Sequence, residues 1–351
     1  MTAGEGPPGA TKMRAFVITA PLTCAIEEVP VPAAAPGEAV IDVERVGVCG
    51  TDVELFTGAM PYFAQGHTTF PVRIGHEWCG RVSAVGPGVD ARWIGRRVVG
   101  DTMIGDGTCR LCLRGNHHVC LHRAEVGVRD GRPGAMAEQI AAPVRSLHAV
   151  PSELDAAVGA LVEPGGTAFR AADACGGGPD DQVLVIGTGT MGTLTALFLR
   201  AKGVDVHLLG RSDDELTFVR SLGFDQTWTT ALMPSVAFDA VVDATNDSDV
   251  PARSLDLVSP AGRVVLIGLS EAPSTVDTRE AVLKDVSMVG ILGASPALDE
   301  TIACFASGVV DPRPLVAATV SLDDVGDLLA GRRPDGASAA PKVHVDPRLT
   351  A

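Results

Sequence analysis

Apolar and polar residues alternate in short runs through the first part of the chain. MRAFVIT from Met13, EAVIDVERVGV from Glu38 and CGRVSAVG from Cys79 are examples, with glycine and proline recurring between them. A period of two broken by turn residues predicts half-buried strands, so residues 13 to about 100 read as a β-barrel or sandwich. A cysteine-rich stretch follows, and then GAMAEQIAAPVRSLHAVP returns to the short-strand pattern. Near Leu154 the period changes, and LDAAVGALVEPGGTAFRAADA carries the apolar spacing of a helix. Beyond it, continuous apolar runs alternate with helical patterns: QVLVIG, TLTALFLRAKG, VDVHLLG, DDELTFVRSLG, FDAVVDAT and GRVVLIGL. Buried strands alternating with helices predict a doubly wound parallel sheet covered on both faces, an α/β fold. DVSMVGILGAS, AATVSLDDVGDLLAG and the strand-like PKVHVD complete the chain.

A length of 351 residues suits two domains rather than one. Hydrophobic residues make up 46% and charged residues 20%, a globular composition, and no apolar run reaches the length of about eighteen that a membrane span needs. Residues 1–12, MTAGEGPPGATK, lack a basic-then-apolar export signal and are expected to form a disordered leader. A cytoplasmic location is therefore expected, and the eight cysteines read as metal-binding or catalytic groups before disulfides. The net charge of −15 argues against nucleic acid as a partner, because phosphate binding needs clustered lysine and arginine.

VLVIGTGTMGTLTALFLR places Gly187, Gly189 and Gly192 in the spacing G-x-G-x-x-G. The spacing alone is a weak signal, but here it follows a buried strand and opens a helix, which is the context of a dinucleotide-binding turn. Gly187 would allow the tight turn, Gly189 the approach of a pyrophosphate, and Gly192 close packing of helix on strand. At the end of the next strand, VDVHLLGRS, no carboxylate stands where an NAD-binding fold usually puts one for the adenosine ribose. Gly210 would leave room for an added phosphate, and Arg211 and Ser212 could bind it, so NADP(H) is expected in preference to NAD(H). Asp213 and Asp214 should begin the next helix, and either could instead fold back to the ribose.

Three further stretches lie upstream of that loop. GVCGTD places Cys49 after a strand, RIGHEWCG places His76 and Glu77 after another, and LVEPGGTAF places Glu163 at the edge of the second domain. A thiolate, an imidazole and a carboxylate with an open fourth position form the ligand set of a catalytic zinc, with Asp52 as a hydrogen-bond partner fixing the other ring nitrogen of His76. Cys109, Cys112 and Cys120 in GDGTCRLCLRGNHHVC also sit at metal-ligand spacings. Cys24, Cys79, Cys175 and Cys304 fit no ligand spacing and read as buried thiols.

Taken together, GVCGTD, FPVRIGHE, the cysteine lobe, LVEP and VLVIGTGTMG resemble, in order and spacing, the zinc-dependent medium-chain dehydrogenases/reductases, the alcohol and polyol dehydrogenase family, over roughly residues 13–346. The resemblance implies a GroES-like β-barrel catalytic domain at 13–155 and 296–351, with a Rossmann cofactor domain at 156–295 inserted into it. It implies Cys49, His76 and Glu163 as catalytic zinc ligands, Glu77 as the acidic neighbour that coordinates zinc in some members, and Thr51 as the hydroxyl that takes the substrate proton. Many members carry a histidine five residues after the catalytic cysteine; this chain has Glu54, a carboxylate that could still accept the proton. Cofactor contacts are implied for Thr190, Met191, Thr245, Gly268, Leu269 and Leu292, and a homodimer or homotetramer is implied through edge strands near VSMVGILGAS.

In the resembling family the cysteine lobe holds a second, structural zinc with four ligands. Counting back from Cys109 gives Asp-x2-Cys-x2-Cys-x7-Cys, so Asp106 becomes the fourth ligand, with His117, His118 and His122 as rivals and a metal-free lobe as the alternative. The expected activity is hydride transfer between NADP(H) and an alcohol/carbonyl pair: a polyol, a sugar-like alcohol or a secondary alcohol of specialised metabolism. Tyr62, Phe63 and His67, in TGAMPYFAQGHTTF, would border the substrate or merely pack. Other readings are a zinc enzyme reducing an activated alkene, a metal-free quinone-type reductase, and a non-enzymatic nucleotide sensor. The three catalytic ligand types beside a cofactor loop argue against the last two.

Overall fold

The computed structural model describes residues 11–350 and divides into two compact units. Most of the expected leader lies outside the described residues. Its last two positions are ordered: Lys12 opens the strand Lys12–Ala20, and the Thr11 carbonyl accepts from the Val31 amide at 3.0 Å.

The first unit takes the chain to Glu163 and regains it at 316–338 and 342–351. Lys12–Ala20 forms an antiparallel hairpin with Thr23–Pro30. A seven-stranded sheet follows in the order Val316–Val320, Lys342–Val345, Glu38–Gly47, Glu77–Val85, Arg97–Gly100 and Leu147–Ala149, with Gln139–Pro143 also pairing on Glu38–Gly47. Alternation puts Ile41, Val43, Trp78, Val98 and Ile140 inward, into one core with Ile18, Leu55 and Val345. The last strand, Lys342–Val345, lies beside Gly47 at the end of Glu38–Gly47, the end from which the chain enters GVCGTD.

The second unit spans 164–315 and 339–341. Its six strands are all parallel. In chain order they are Gln182–Ile186, Asp205–Leu209, Thr227–Trp228, Phe238–Asp243, Val258–Leu266 and Ser287–Gly290, and they lie in the sheet as 3-2-1-4-5-6. This is the doubly wound order whose direction reverses between the first and fourth strands, where a crevice opens at their carboxyl ends. The Ser287–Gly290 strand forms one edge of that sheet. Among the described residues no helix is long and apolar enough to cross a membrane.

The division falls at 163/164 and 315/316, later than the 155/156 and 295/296 expected from the sequence. Packing explains the second shift. Phe305, on the helix Leu298–Ala306, stacks on Phe198 of the helix Thr190–Ala201 with centroids 5.9 Å apart, which ties 298–306 to the nucleotide-type sheet.

Candidate functional site

Cys49 ends an extended stretch and is the N-cap of the helix Gly50–Thr57. Its amide donates to Asp52 Oδ2 at 2.9 Å, so the third helical residue reaches back and fixes the turn. The turn presents the thiol beside His76 and Glu77, and one ligand atom from each of the three lies within 4.8 Å of the others. Thr51 Oγ1 is 4.0 Å from Cys49 Sγ. Asp52 Oδ1 faces His76 Nδ1 at 3.8 Å, an ion-pair separation, where the sequence reading expected a hydrogen bond. Both atoms are buried with no hydrogen-bond partner. Burial opposes charge on the His76 imidazole, yet Cys49, Asp52 and Glu163 around it hold its pKa well above the usual range. Three acidic groups crowding one imidazole are a donor set suited to a divalent cation, so the residues fit the zinc the sequence implies.

Glu163 stands slightly apart from the tight trio. Its Oε1 accepts from the Thr102 hydroxyl at 3.3 Å, and burial pushes its carboxyl up to about 7. Glu77 is closer to Cys49 and His76 but is already engaged. Lys342 Nζ donates to Glu77 Oε1 at 3.0 Å, to Oε2 at 2.7 Å and to the Val48 carbonyl at 2.9 Å, and both side chains are almost wholly buried. Gly47 is required here: a Cβ would lie 2.1 Å from Glu77 Oε2. Lys342 and Thr102 are the residues the sequence reading missed. The available signal was a lysine opening the apolar PKVHVD strand, a placement that is rare in a buried strand unless the charge is paired. Glu54 is partly buried on the Thr51 helix. Tyr62 donates to Glu125 Oε1 at 3.0 Å, Phe63 stacks on Phe70 at 4.4 Å and His67 meets Arg129 at 3.2 Å, so all three are engaged in packing.

The cysteine lobe gathers Asp106, Cys109, Cys112 and Cys120, again with ligand atoms within 4.8 Å. Cys109 Sγ and Cys120 Sγ are 3.7 Å apart. That is far beyond a disulfide bond, and it matches the edge of about 3.8 Å in a tetrahedron with Zn–S bonds of about 2.3 Å. Asp106 Oδ1 accepts from the amides of Cys109 and Thr108 at 2.9 and 2.8 Å, which holds its carboxyl well below the usual range and leaves Oδ2 facing His122 Nδ1 at 3.3 Å. Of the rival histidines, His117 Nε2 bonds Asp101 Oδ2 at 2.6 Å and His118 is buried outside the cluster. Cys79 and Cys175 are buried thiols as expected, with Cys175 pushed up to about 12 by burial. Cys24 and Cys304 are not; both are partly exposed.

In the second unit the glycine loop follows Gln182–Ile186 and Gly189 caps the helix Thr190–Ala201. Gly187 adopts φ 103°, open only to glycine without strain, and a Cβ on Gly192 would lie 1.9 Å from the Gly187 carbonyl oxygen. Nothing lies within 4 Å of where a Gly189 Cβ would project. Two glycines are thus fixed by crowding and the third faces open space at a helix N-terminus, which is a cradle for a pyrophosphate. Thr190 and Met191 are partly exposed beside it. Thr245 N and Oγ1 donate to buried Asp243 Oδ1 at 2.9 and 2.8 Å, and a Gly268 Cβ would meet the Thr245 carbonyl at 1.6 Å, so these two strand ends nearly touch. Leu269 is exposed, and the Leu292 carbonyl accepts from Arg170 at 2.7 Å.

A Cβ on Gly210 would lie 2.9 Å from Leu216 Cδ2, so this glycine also keeps the strand tip clear of that side chain. Ser212 caps the helix Asp213–Ser221. Asp213 turns along that helix to Arg220 at 2.9 Å. The carboxylate that does return to the strand tip is Glu215. Its Oε2 accepts from the Arg211 amide at 3.0 Å and its Oε1 from Arg211 Nε at 2.8 Å, with Nη2 at an ion-pair distance of 2.6 Å from Oε1.

Comparison with known proteins agrees with this geometry. A family model described as the alcohol dehydrogenase GroES-like domain matches residues 35–152, and one described as zinc-binding dehydrogenase matches 190–307. The chain is 29% identical to the L-threonine 3-dehydrogenase of Sinorhizobium medicae (strain WSM419), over 90% of this chain and 94% of that protein. Among solved structures it resembles a short chain alcohol dehydrogenase of Escherichia coli CFT073 complexed with NADH, with TM-score 0.87, 25% identity and 95% and 99% of the two chains covered. It also resembles a protein of Sinorhizobium meliloti 1021 described as a zinc-binding dehydrogenase and bound to NADP, with TM-score 0.86, 25% identity and 96% and 100% covered.

Proposed function

From the premise that this chain belongs to the zinc-type medium-chain dehydrogenase/reductase family, as an NAD(P)-dependent alcohol dehydrogenase-type enzyme, we propose that it moves hydride between NADP(H) and a secondary alcohol/carbonyl pair. The observation that carries this is the convergence of Cys49, His76 and Glu77 with the Thr51 hydroxyl against the thiol. In the proposed site Cys49, His76 and Glu163 hold the catalytic zinc, while Lys342 keeps the Glu77 carboxylate occupied. Bound zinc would supply Lewis acidity that lowers the substrate hydroxyl pKa, and the nicotinamide would supply or accept the hydride. Thr51 accepts the substrate proton at Oγ1. Glu54 lies three residues on along the same helix, so it shares that face and can pass the proton outward. Asp52 orients the His76 ring by charge. The curated relatives' names denote oxidation at C3 of threonine, a secondary alcohol, which supports that substrate class; polyol and sugar-like alcohols belong to it too. Pairing of two copies through the Ser287–Gly290 edge is part of the same reading.

The cofactor preference rests on Arg211 and on the absence of a carboxylate at the end of Asp205–Leu209 itself. kcat/KM measured with NADP and NAD, on any alcohol from a panel that turns over, should favour NADP by about tenfold or more. Equal values or an NAD preference would overturn that part of the proposal while leaving the zinc chemistry intact.

Asp106, Cys109, Cys112 and Cys120 would form a closed structural zinc site that contributes its binding energy to folding. Asp106→Ala should lose about one of two zinc ions per chain and lower the melting temperature, with kcat changed far less. Elemental analysis and thermal denaturation check it; unchanged zinc content and melting temperature would remove Asp106 from the ligand set.

A further inference from the structure

We propose that Glu215 is a specificity-determining residue of the cofactor site: its carboxylate takes up the two Arg211 donors that a 2′-phosphate would use, and so sets the ratio of NADP to NAD affinity. The bonds on the page define the competition. Glu215 Oε2 receives the Arg211 backbone N–H at 3.0 Å and Oε1 receives Nε at 2.8 Å, while Nη2 lies 2.6 Å from Oε1 as an ion pair. Arg211 is otherwise 92% exposed, so its guanidinium lies open to a ligand at the strand tip. A carboxylate held by a guanidinium fork and a neighbouring amide makes the same two-pronged contact that an arginine makes with a phosphate. Helix geometry fixes the arrangement. Ser212 caps the helix and Glu215 N donates to its Oγ at 3.4 Å, which brings the Glu215 side chain back over Arg211, four residues earlier. Asp213 is drawn off to Arg220, so it does not supply this carboxylate.

A 2′-phosphate that takes the Nε/Nη2 edge of Arg211 therefore competes with Glu215 for it, and the carboxylate is left near a dianion. NAD brings no phosphate to the tip, and Glu215 stays where it is. The cost falls on NADP alone. The proposal rests on the reading of Arg211 as the phosphate-binding residue.

The test is equilibrium binding of NADPH and NADH to the full chain, followed by nucleotide fluorescence, for the wild type, Glu215→Gln, Arg211→Ala and the double variant. Neither residue lies in a core, so all four proteins should fold. Glu215→Gln should tighten NADPH by roughly fivefold, the scale of one exposed ion pair, and leave NADH within about twofold. In the Arg211→Ala background the same substitution should have a clearly smaller effect on the NADPH dissociation constant, because the competition for Arg211 is gone and only carboxylate–phosphate repulsion remains. An NADPH affinity unaffected by Glu215→Gln, an equal change for both nucleotides, or a loss confined to NADH would each overturn the proposal. The last would mark Glu215 as the ribose acceptor. A wild type that prefers NADH, with a Glu215→Gln variant that binds NADPH more tightly and NADH unchanged, refutes the cofactor preference and upholds the role of Glu215. A wild type that prefers NADPH, with a ratio Glu215→Gln does not move, does the reverse.

Discussion

Cys49→Ser is expected to lower kcat by about three orders of magnitude or more, to remove about one zinc ion per chain and to leave the melting temperature nearly unchanged. The first effect follows from the loss of a thiolate ligand: metal Lewis acidity supplies several kcal/mol of transition-state stabilisation, and about 4 kcal/mol already corresponds to a factor of a thousand. The last follows from local structure. Cys49 is the N-cap of Gly50–Thr57, and the bond that fixes the turn runs from its backbone amide to Asp52, which any residue can make. Serine is among the preferred N-cap residues, so the substitution retains or improves the helix start while removing the soft donor. Activity, elemental analysis and thermal denaturation on one preparation separate these effects. Near-normal turnover in Cys49→Ser would refute the site assignment, and a collapse of the melting temperature would mean that the cluster serves mainly to hold the fold.

Local pattern carried the sequence reading a long way. The glycine loop could be read because its three glycines, the strand before it and the helix after it are contiguous, and each answers to a local demand. The four residues of the cysteine lobe lie within a short stretch, so spacing alone brings them together. What escaped was long-range or conformational. Glu77 and Lys342 are 265 positions apart, and only the pairing of the last strand with Glu38–Gly47 reveals that they meet. At Gly210 the sequence offers room for a phosphate but does not show that the Leu216 side chain packs against the same position. The carboxylate returning to the strand tip was sought at Asp213 or Asp214; the cap at Ser212 selects Glu215 instead. The second unit boundary, implied at 295/296 by the resemblance, falls later because the Leu298–Ala306 helix stacks on the nucleotide-type sheet's own helix.

Lys342→Met should destabilise the protein by about 3–5 kcal/mol, because it strands the Glu77 carboxylate and the Val48 carbonyl without their donor in a dry site. In a chain of this size that corresponds to a fall in melting temperature of roughly 10 °C. The substitution should also disturb the candidate zinc site without touching it. Wild-type Glu77 has both oxygens bound to Lys342, although one lies within 4.8 Å of the Cys49 and His76 ligand atoms. A carboxylate released at that distance is a good zinc ligand and would compete for the position the substrate needs. Turnover should therefore fall while zinc content holds, and the absorption spectrum of cobalt-substituted enzyme should change with the donor set. Glu77→Leu combined with Lys342→Met separates the two effects. Replacing a buried ion pair by apolar groups of similar size is often neutral or stabilising, so the double variant should regain most of the lost stability. It should also regain turnover, because no carboxylate remains to compete. If the single variant is as stable as wild type, the pair contributes nothing to the fold. If the double variant recovers stability but stays as inactive as the single, Glu77 acts directly in the reaction and Lys342 holds it in place for that purpose.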